Sequence, residues 1–173
     1  MLDSPGGGGE RGLEEDDIAR ILIEYYQGLF NSANPFNMEQ AVADIPQVIT
    51  PEMNIMLQED YPWVEVESAL HQMEALKALG PDGLPLLFFQ HYWEIIGDDI
   101  SEAVLNCLNT SFIPPSINKT FITLIPKVKS PTLFTEYRPI SLCNILYKLV
   151  SKVIANRLKK ILPDIISDSQ SAF

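Results

Sequence analysis

Cysteine is nearly absent from this 173-residue chain: Cys107 and Cys143 are the only two, far apart and in no metal-ligand spacing. That excludes a disulfide framework and a cysteine metal site, and an intracellular, reducing setting is expected. Histidine is equally scarce. His71 and His91 lie in helical segments with no Ser, Cys or carboxylate arrangement that specifies a triad, so both read as structural. The longest apolar stretches, such as LPLLFF, are far short of the roughly 20 residues that a transmembrane helix needs. No membrane span is expected, and the acidic, Gly-rich start has no apolar signal core. The GGGG tract follows no strand and precedes no Gly-Lys-Ser/Thr, which excludes a phosphate loop of the Walker kind.

Basic residues are also scarce, but only in part of the chain. Residues 1–112 carry 3 basic and 20 acidic side chains, whereas residues 113–173 carry 9 basic and 3 acidic ones, within an overall charge of −11. Polyanion binding depends on a local basic surface and not on net charge, so any phosphate-binding function belongs to the last third. At 46% hydrophobic and 20% charged residues the composition is that of a folded globular chain, long enough for one real core.

The pattern along the chain predicts an α+β fold, mostly helical at first, then a β-hairpin and a long helix. Residues 1–12 read as a flexible tail, 13–112 as a helical extension, and 113–173 as a separate region that begins where β-branched residues appear. Ile18, Leu22, Tyr25, Tyr26 and Leu29 recur at helical spacing behind four acids, which suit a helix N-terminus. Thr50 reads as an N-cap with Pro51 at the first helical position. Val66, Leu70, Met73 and Leu76 predict a helix stopped by Gly80-Pro81, and GPDG, residues 80–83, a tight loop. A helix resumes at Leu84 or Pro85 with Phe88, Phe89, Tyr92, Trp93 and Ile96 facing a core, and another spans ISEAVLNCLNTSF. KTFITLIPKV and LFTEYRPISL then read as hairpin arms joined by KSPT, with Pro126 and Pro139 at edges or strand ends. The last helix opens with Asn144 as cap, buries a broad face from Ile145 to Leu162, and ends at Pro163.

Three sets of residues are candidates for chemistry. IIGDD, residues 95–99, has the look of a metal-binding carboxylate turn, but its flanks read as helices, so Asp98 and Asp99 are expected to cap and charge a helix start. No metal site and no catalytic residue is assigned. Lys127 and Arg138 lie on the two hairpin arms, where they could converge as a phosphate clamp or stand as two solvated strand-end cations. Lys148, Lys152 and Lys159 fall within about 40° of one another on a helical wheel, a basic stripe opposite the apolar face that would suit a nucleic-acid backbone or plain solvation.

The segments LIPKV and EYRPISLCNILYKLVSKVIANRLKKILPDIISDSQSAF resemble the reverse transcriptase of plant LINE-type (non-LTR) retrotransposons. The likeness runs upstream through NKTFITLIPK and ALKALGPDGLPLLFFQHYW, and more loosely through VITPEMN and YYQGLFNS, so it covers most of the chain from about residue 13. It implies that GPDG belongs to an extension ahead of the fingers, LIPK and RPISL to the fingers, and QSAF to the block leading into the palm. It also implies that Lys127 and Arg138 contact the phosphates of an incoming deoxynucleotide, with an RNA template and a DNA primer as the parent enzyme's partners.

Two departures stand out. Leu79 takes the place of the Pro that usually precedes GPDG in that family. The sequence also holds none of the palm segments that supply metal-binding aspartates, so no cofactor is expected here, although Mg²⁺ is implied for the complete parent enzyme. The expectation is a fragment of an RNA-directed DNA polymerase, inactive alone and prone to self-association through apolar surface a palm would cover. The alternatives are a nucleic-acid-binding module, a protein-interaction surface in the acidic half, or a remnant with no selected role.

Overall fold

The computed structural model describes residues 15–34, 36–43 and 46–166. The tail over residues 1–12 and the QSAF block therefore lie outside the described residues. The chain divides into two compact units between Ile45 and Pro46. In the first, α1 (Glu15–Phe30) forms where a helix is expected, with Tyr26 buried and stacked on Phe30 but Ile18 and Leu29 exposed, and α2 (Met38–Val42) is a short turn of helix.

The second unit is built from α3 (Pro51–Gln58), α4 (Trp63–Gln72), α5 (Leu86–His91), α6 (Trp93–Thr110), α7 (Pro115–Asn118), β1 (Thr120–Pro126), β2 (Tyr137–Cys143), α8 (Ile145–Leu158) and α9 (Leu162–Ile165). The mix of helices and one antiparallel hairpin is the expected α+β class. Its core gathers one face from each of the longer helices: Val66, Ala69 and Leu70 of α4, Leu86 and Phe89 of α5, Trp93, Val104, Cys107 and Leu108 of α6, and Ile145, Leu149, Val150 and Val153 of α8. Burial pushes the Cys107 thiol above its ordinary value, so it behaves as a small hydrophobe and not as a nucleophile. Among the described residues no helix is long and apolar enough to cross a membrane.

Thr50 caps α3 as expected, its hydroxyl accepting the Met53 N–H at 3.2 Å. Elsewhere tertiary contacts move the boundaries. The α4 helix stops at Gln72 instead of running to Gly80, and Leu76 is left exposed. The side-chain amide of Gln90, on α5, donates to the Leu70 and Met73 carbonyls at 3.0 Å each, satisfying groups that a longer helix would have used itself. Asp98 and Asp99 do not start a helix: α6 begins five residues before Asp98, at Trp93, and runs through both. Gly97 fails to break it because the Trp93 indole folds back over that position, where an added Cβ would come within 3.0 Å of the ring. The Trp93 Nε1–H then reaches Glu67 Oε1 at 3.1 Å, which ties α6 to α4.

The last helix also ends early, at Leu158 and not at Leu162. A tighter turn follows, with the Ile161 N–H donating to the Leu158 carbonyl at 3.0 Å, and Ile161 tucks in at 3% exposure. Pro163 therefore sits in the first turn of α9, where a missing N–H is harmless. Asn144 holds the N-cap position of α8, but its side chain makes no cap bond. The cap comes from Asp82 of GPDG, whose carboxylate accepts the Ile145 N–H at 2.6 Å. Asn144 Oδ1 in return accepts the Asp82 N–H at 3.1 Å, and its Nδ2 donates to the Ser116 and Ile117 carbonyls at 3.0 and 3.1 Å.

Two glycines make this docking possible. A Cβ on Gly80 would lie 2.2 Å from the Cys143 carbonyl oxygen, and Gly83 has φ +66°. Arg157, buried in the otherwise apolar face of α8 at 3% exposure, makes a second long-range tie. Its Nε bonds Glu65 Oε2 at 2.9 Å, its Nη2 donates to the Asp60 carbonyl at 2.9 Å, and its Nη1 donates to the Glu59 carbonyl. The guanidinium lies 3.5 Å from the centre of the Tyr61 ring.

These contacts set two stability expectations. Gly80→Ala should lower unfolding stability by about 1–3 kcal/mol, because backbone and not a flexible side chain stands in the way; an unchanged denaturant midpoint would contradict the docking geometry. Arg157→Ala should cost about 3 kcal/mol, since it removes a buried guanidinium and leaves its partly buried partners, the Glu65 carboxylate and the carbonyls of the α3–α4 connection, without it. A loss within about 0.5 kcal/mol, the range of ordinary surface substitutions, would show that the clamp does not hold α8 to the α3–α4 connection.

Candidate functional site

The hairpin register runs from Thr120↔Cys143 to Pro126↔Tyr137. Both strands are edges of a two-stranded sheet, which accommodates Pro126 at the end of β1 and Pro139 within β2. Because side chains alternate, Phe121, Thr123 and Ile125 share one face with Leu142, Ile140 and Arg138. The ladder continues one step beyond β1, the Lys127 N–H donating to the Glu136 carbonyl at 2.7 Å. Lys127 thus falls on the same face as Arg138 and diagonal to it, about 7–8 Å away by ordinary sheet geometry. The structure brings these two cations together.

That face is open. Phe121, Ile125 and Ile140 are all exposed on it, and so are Lys127 and Arg138. Among the described residues the Arg138 guanidinium has no hydrogen-bond or ion-pair partner, whereas the Lys127 ammonium donates to the Thr135 carbonyl at 2.7 Å. Glu136 shares the face as well, yet no ion pair joins it to either cation. Its Oε2 accepts the Thr132 and Leu133 N–H groups at 2.6 and 3.0 Å and so folds the connecting turn. Two positive groups are left uncancelled at the hairpin tip, an arrangement suited to a polyvalent anion.

The lysine stripe is dispersed. Lys148 is half-buried, its ammonium donating to the Ala78 carbonyl at 2.9 Å beside GPDG, and Lys152 is half-buried next to it. Lys159 is exposed but lies just past the end of α8. The stripe flanks the buried face of α8 instead of opposing it. The residues that point away from the core are Ser151, Ile154, Ala155 and Leu158.

Among the described residues the IIGDD carboxylates do not form a Mg²⁺ site. Asp98 and Asp99 are consecutive on α6, so their side chains diverge by about 100° and cannot meet one ion. Among the described residues no three His, Cys, Asp or Glu side chains gather as a metal site.

Three elements of this arrangement escape sequence reasoning. The Asp82–Asn144 exchange links residues 62 apart, and turn chemistry at GPDG gives no hint of its partner. The role of Glu136 depends on the shape of the turn it folds. Arg157 did leave a signal, since it stands four residues after Val153 within an apolar stripe.

The bonds to Glu136 carry a pH dependence. The Leu133 N–H, and after it the Thr132 N–H, hold its carboxyl below the ordinary value of 4.5. A depressed folded value means that this contribution is complete above 4.5 and is lost as pH falls below it through the folded value. In an NMR titration, the Glu136 carboxyl should titrate below its ordinary value of 4.5, and amide protection at Thr132 and Leu133 should fade over the same range. A Glu136 carboxyl titrating at or above 4.5 would contradict the bonds described.

No protein-family model matches the chain. The chain is 31% identical over 162 residues to the Transposon TX1 uncharacterized 149 kDa protein of Xenopus laevis, a match that covers 92% of this chain. It spans only 12% of the length of that relative. By sequence, then, the chain is similar to a small part of a much larger transposon protein.

Proposed function

We propose that the chain is a segment of the RNA-directed DNA polymerase of a non-LTR, LINE-type retrotransposon, and that its hairpin grips the phosphates of an incoming deoxynucleotide. One observation carries the reading: Lys127 and Arg138 lie diagonally across one exposed face of the hairpin, with the Glu136 carboxylate beside them committed to backbone N–H groups. The likeness to a transposon protein and the order of the segments GPDG, LIPK and RPISL support it.

In this role the two cations divide the work. The Arg138 guanidinium offers a planar fork to two phosphate oxygens, and the Lys127 ammonium adds a point charge from the opposite strand. Their action is to bind and orient. Among the described residues no carboxylates gather as the two-metal clamp that nucleotidyl transfer uses. The isolated 173-residue polypeptide should therefore bind without extending a primer. Lys159, the exposed member of the stripe, is available for a template phosphate, which would position the strand without reading its sequence.

Calorimetric titration with a deoxynucleoside triphosphate tests the assignment. Lys127→Ala and Arg138→Ala should each weaken binding by about tenfold, the loss of one charge-assisted contact, and rising salt should weaken it further. Unchanged affinity in both variants would remove the hairpin from the site. Primer extension above background by the purified polypeptide would overturn the inactive assignment.

A further inference from the structure

Beyond the two cations, the geometry points to Glu136 as a positioning residue for Lys127: by folding the turn it fixes the Thr135 carbonyl that holds the Lys127 ammonium on the Arg138 face. The inference rests on the reading in which Lys127 and Arg138 take phosphate oxygens.

The chain of contacts is short. Glu136 Oε2 accepts two consecutive N–H groups, from Thr132 and Leu133, and the Glu136 N–H donates back to the Leu133 carbonyl at 3.0 Å. Residues Phe134–Glu136 close as one tight helical turn. That turn presents two successive carbonyls to the opposite arm: the Glu136 carbonyl takes the Lys127 backbone N–H, and the Thr135 carbonyl takes its ammonium, both at 2.7 Å. A lysine side chain is otherwise among the most mobile in a protein, and an exposed one loses much of its freedom when it binds. Here one N–H of three is already committed, which leaves two for an anion on a side chain whose direction is set. Arg138 is reached by none of these bonds, so the effect of Glu136 should pass through Lys127 alone.

Electrostatics alone predicts the opposite sign. Glu136 is a negative charge on the face where an anion would bind, so deleting it should tighten binding if charge were all that mattered. Positioning predicts that Glu136→Ala weakens it. Glu136→Gln keeps an oxygen that can accept both N–H groups and removes the charge, so it should bind as tightly as the native chain or more so.

The test uses the whole 173-residue chain and tripolyphosphate. Expected are a roughly tenfold weaker Kd for Glu136→Ala, a native or tighter one for Glu136→Gln, and no further loss when Glu136→Ala is added to Lys127→Ala. An equal or tighter Kd for Glu136→Ala overturns the inference, and so does a full additional loss on the Lys127→Ala background. A ligand-free readout separates this result from the functional reading. The ¹⁵N signal of the Lys127 ammonium should be slowed in hydrogen exchange in the native chain and in Glu136→Gln, and fast in Glu136→Ala. If tripolyphosphate does not bind the native chain, the functional reading fails while the ammonium signal still decides the positioning. A signal indifferent to Glu136→Ala, or already lost in Glu136→Gln, would overturn it.

Discussion

The second unit depends on an exchange of hydrogen bonds between Asp82 and Asn144. Each residue satisfies what the other's segment leaves open: the Asp82 carboxylate takes the first free N–H of α8, and the Asn144 amide oxygen takes the N–H of Asp82 itself. The Asn144 amide nitrogen then holds two carbonyls of α7. Three segments far apart in sequence, at 80–83, 116–117 and 143–145, are thereby fixed around two side chains. A half-satisfied network of this kind would be worse than none, because each stranded group costs about 1–3 kcal/mol. Gly80 is part of the same constraint, since any side chain there would displace the Cys143 backbone on which the exchange is built.

This junction matters for the hairpin because it lies at its base. β1 begins just after the carbonyls that Asn144 holds, and β2 ends at Cys143, immediately before Asn144. Both strand ends are pinned where they enter and leave the core. An isolated two-stranded hairpin is marginal in water. Anchoring its base lets the tip project with little packing of its own, and the exposure of Phe121, Ile122, Ile125 and Ile140 shows how little the body covers it. The tip must then be ordered by local bonds, which is the part played by Glu136 and the Thr135 carbonyl.

Much of this was legible in the sequence, for reasons that differ by element. The hairpin declared itself through β-branched arms around a polar turn, and α3 through its Thr50 cap, because both signals are local. The α6 start was misplaced because Gly97-Asp98-Asp99 carries a strong local break signal that the Trp93 indole overrides by packing on the glycine. The end of α4 moved because an amide 17 residues beyond Met73 satisfies its carbonyls. The α4 end was set by a partner far along the chain, and the α6 start by a side chain one helical turn away whose packing the pattern does not show. The shared face of Lys127 and Arg138 follows from strand alternation once the register is known. The register, the neutral role of Glu136 toward those cations, and the Asp82 cap required the fold.

The charge pattern also changes meaning once the fold is in place. Nine basic residues after position 112 suggest a broadly positive region. Arg157 is spent inside the protein, on the carbonyls of the α3–α4 connection and on Glu65, and half-buried Lys148 is tied to the carbonyl of Ala78. These serve as struts, and counting them as surface charge overstates the attraction for a polyanion. At the hairpin tip the opposite holds. Lys127, Lys129 and Arg138 are exposed, and the nearby carboxylate is occupied with N–H groups instead of neutralising them. A chain with a net charge of −11 can still present a small positive site, because phosphate responds to charges within about a Debye length of 8–10 Å and not to the total.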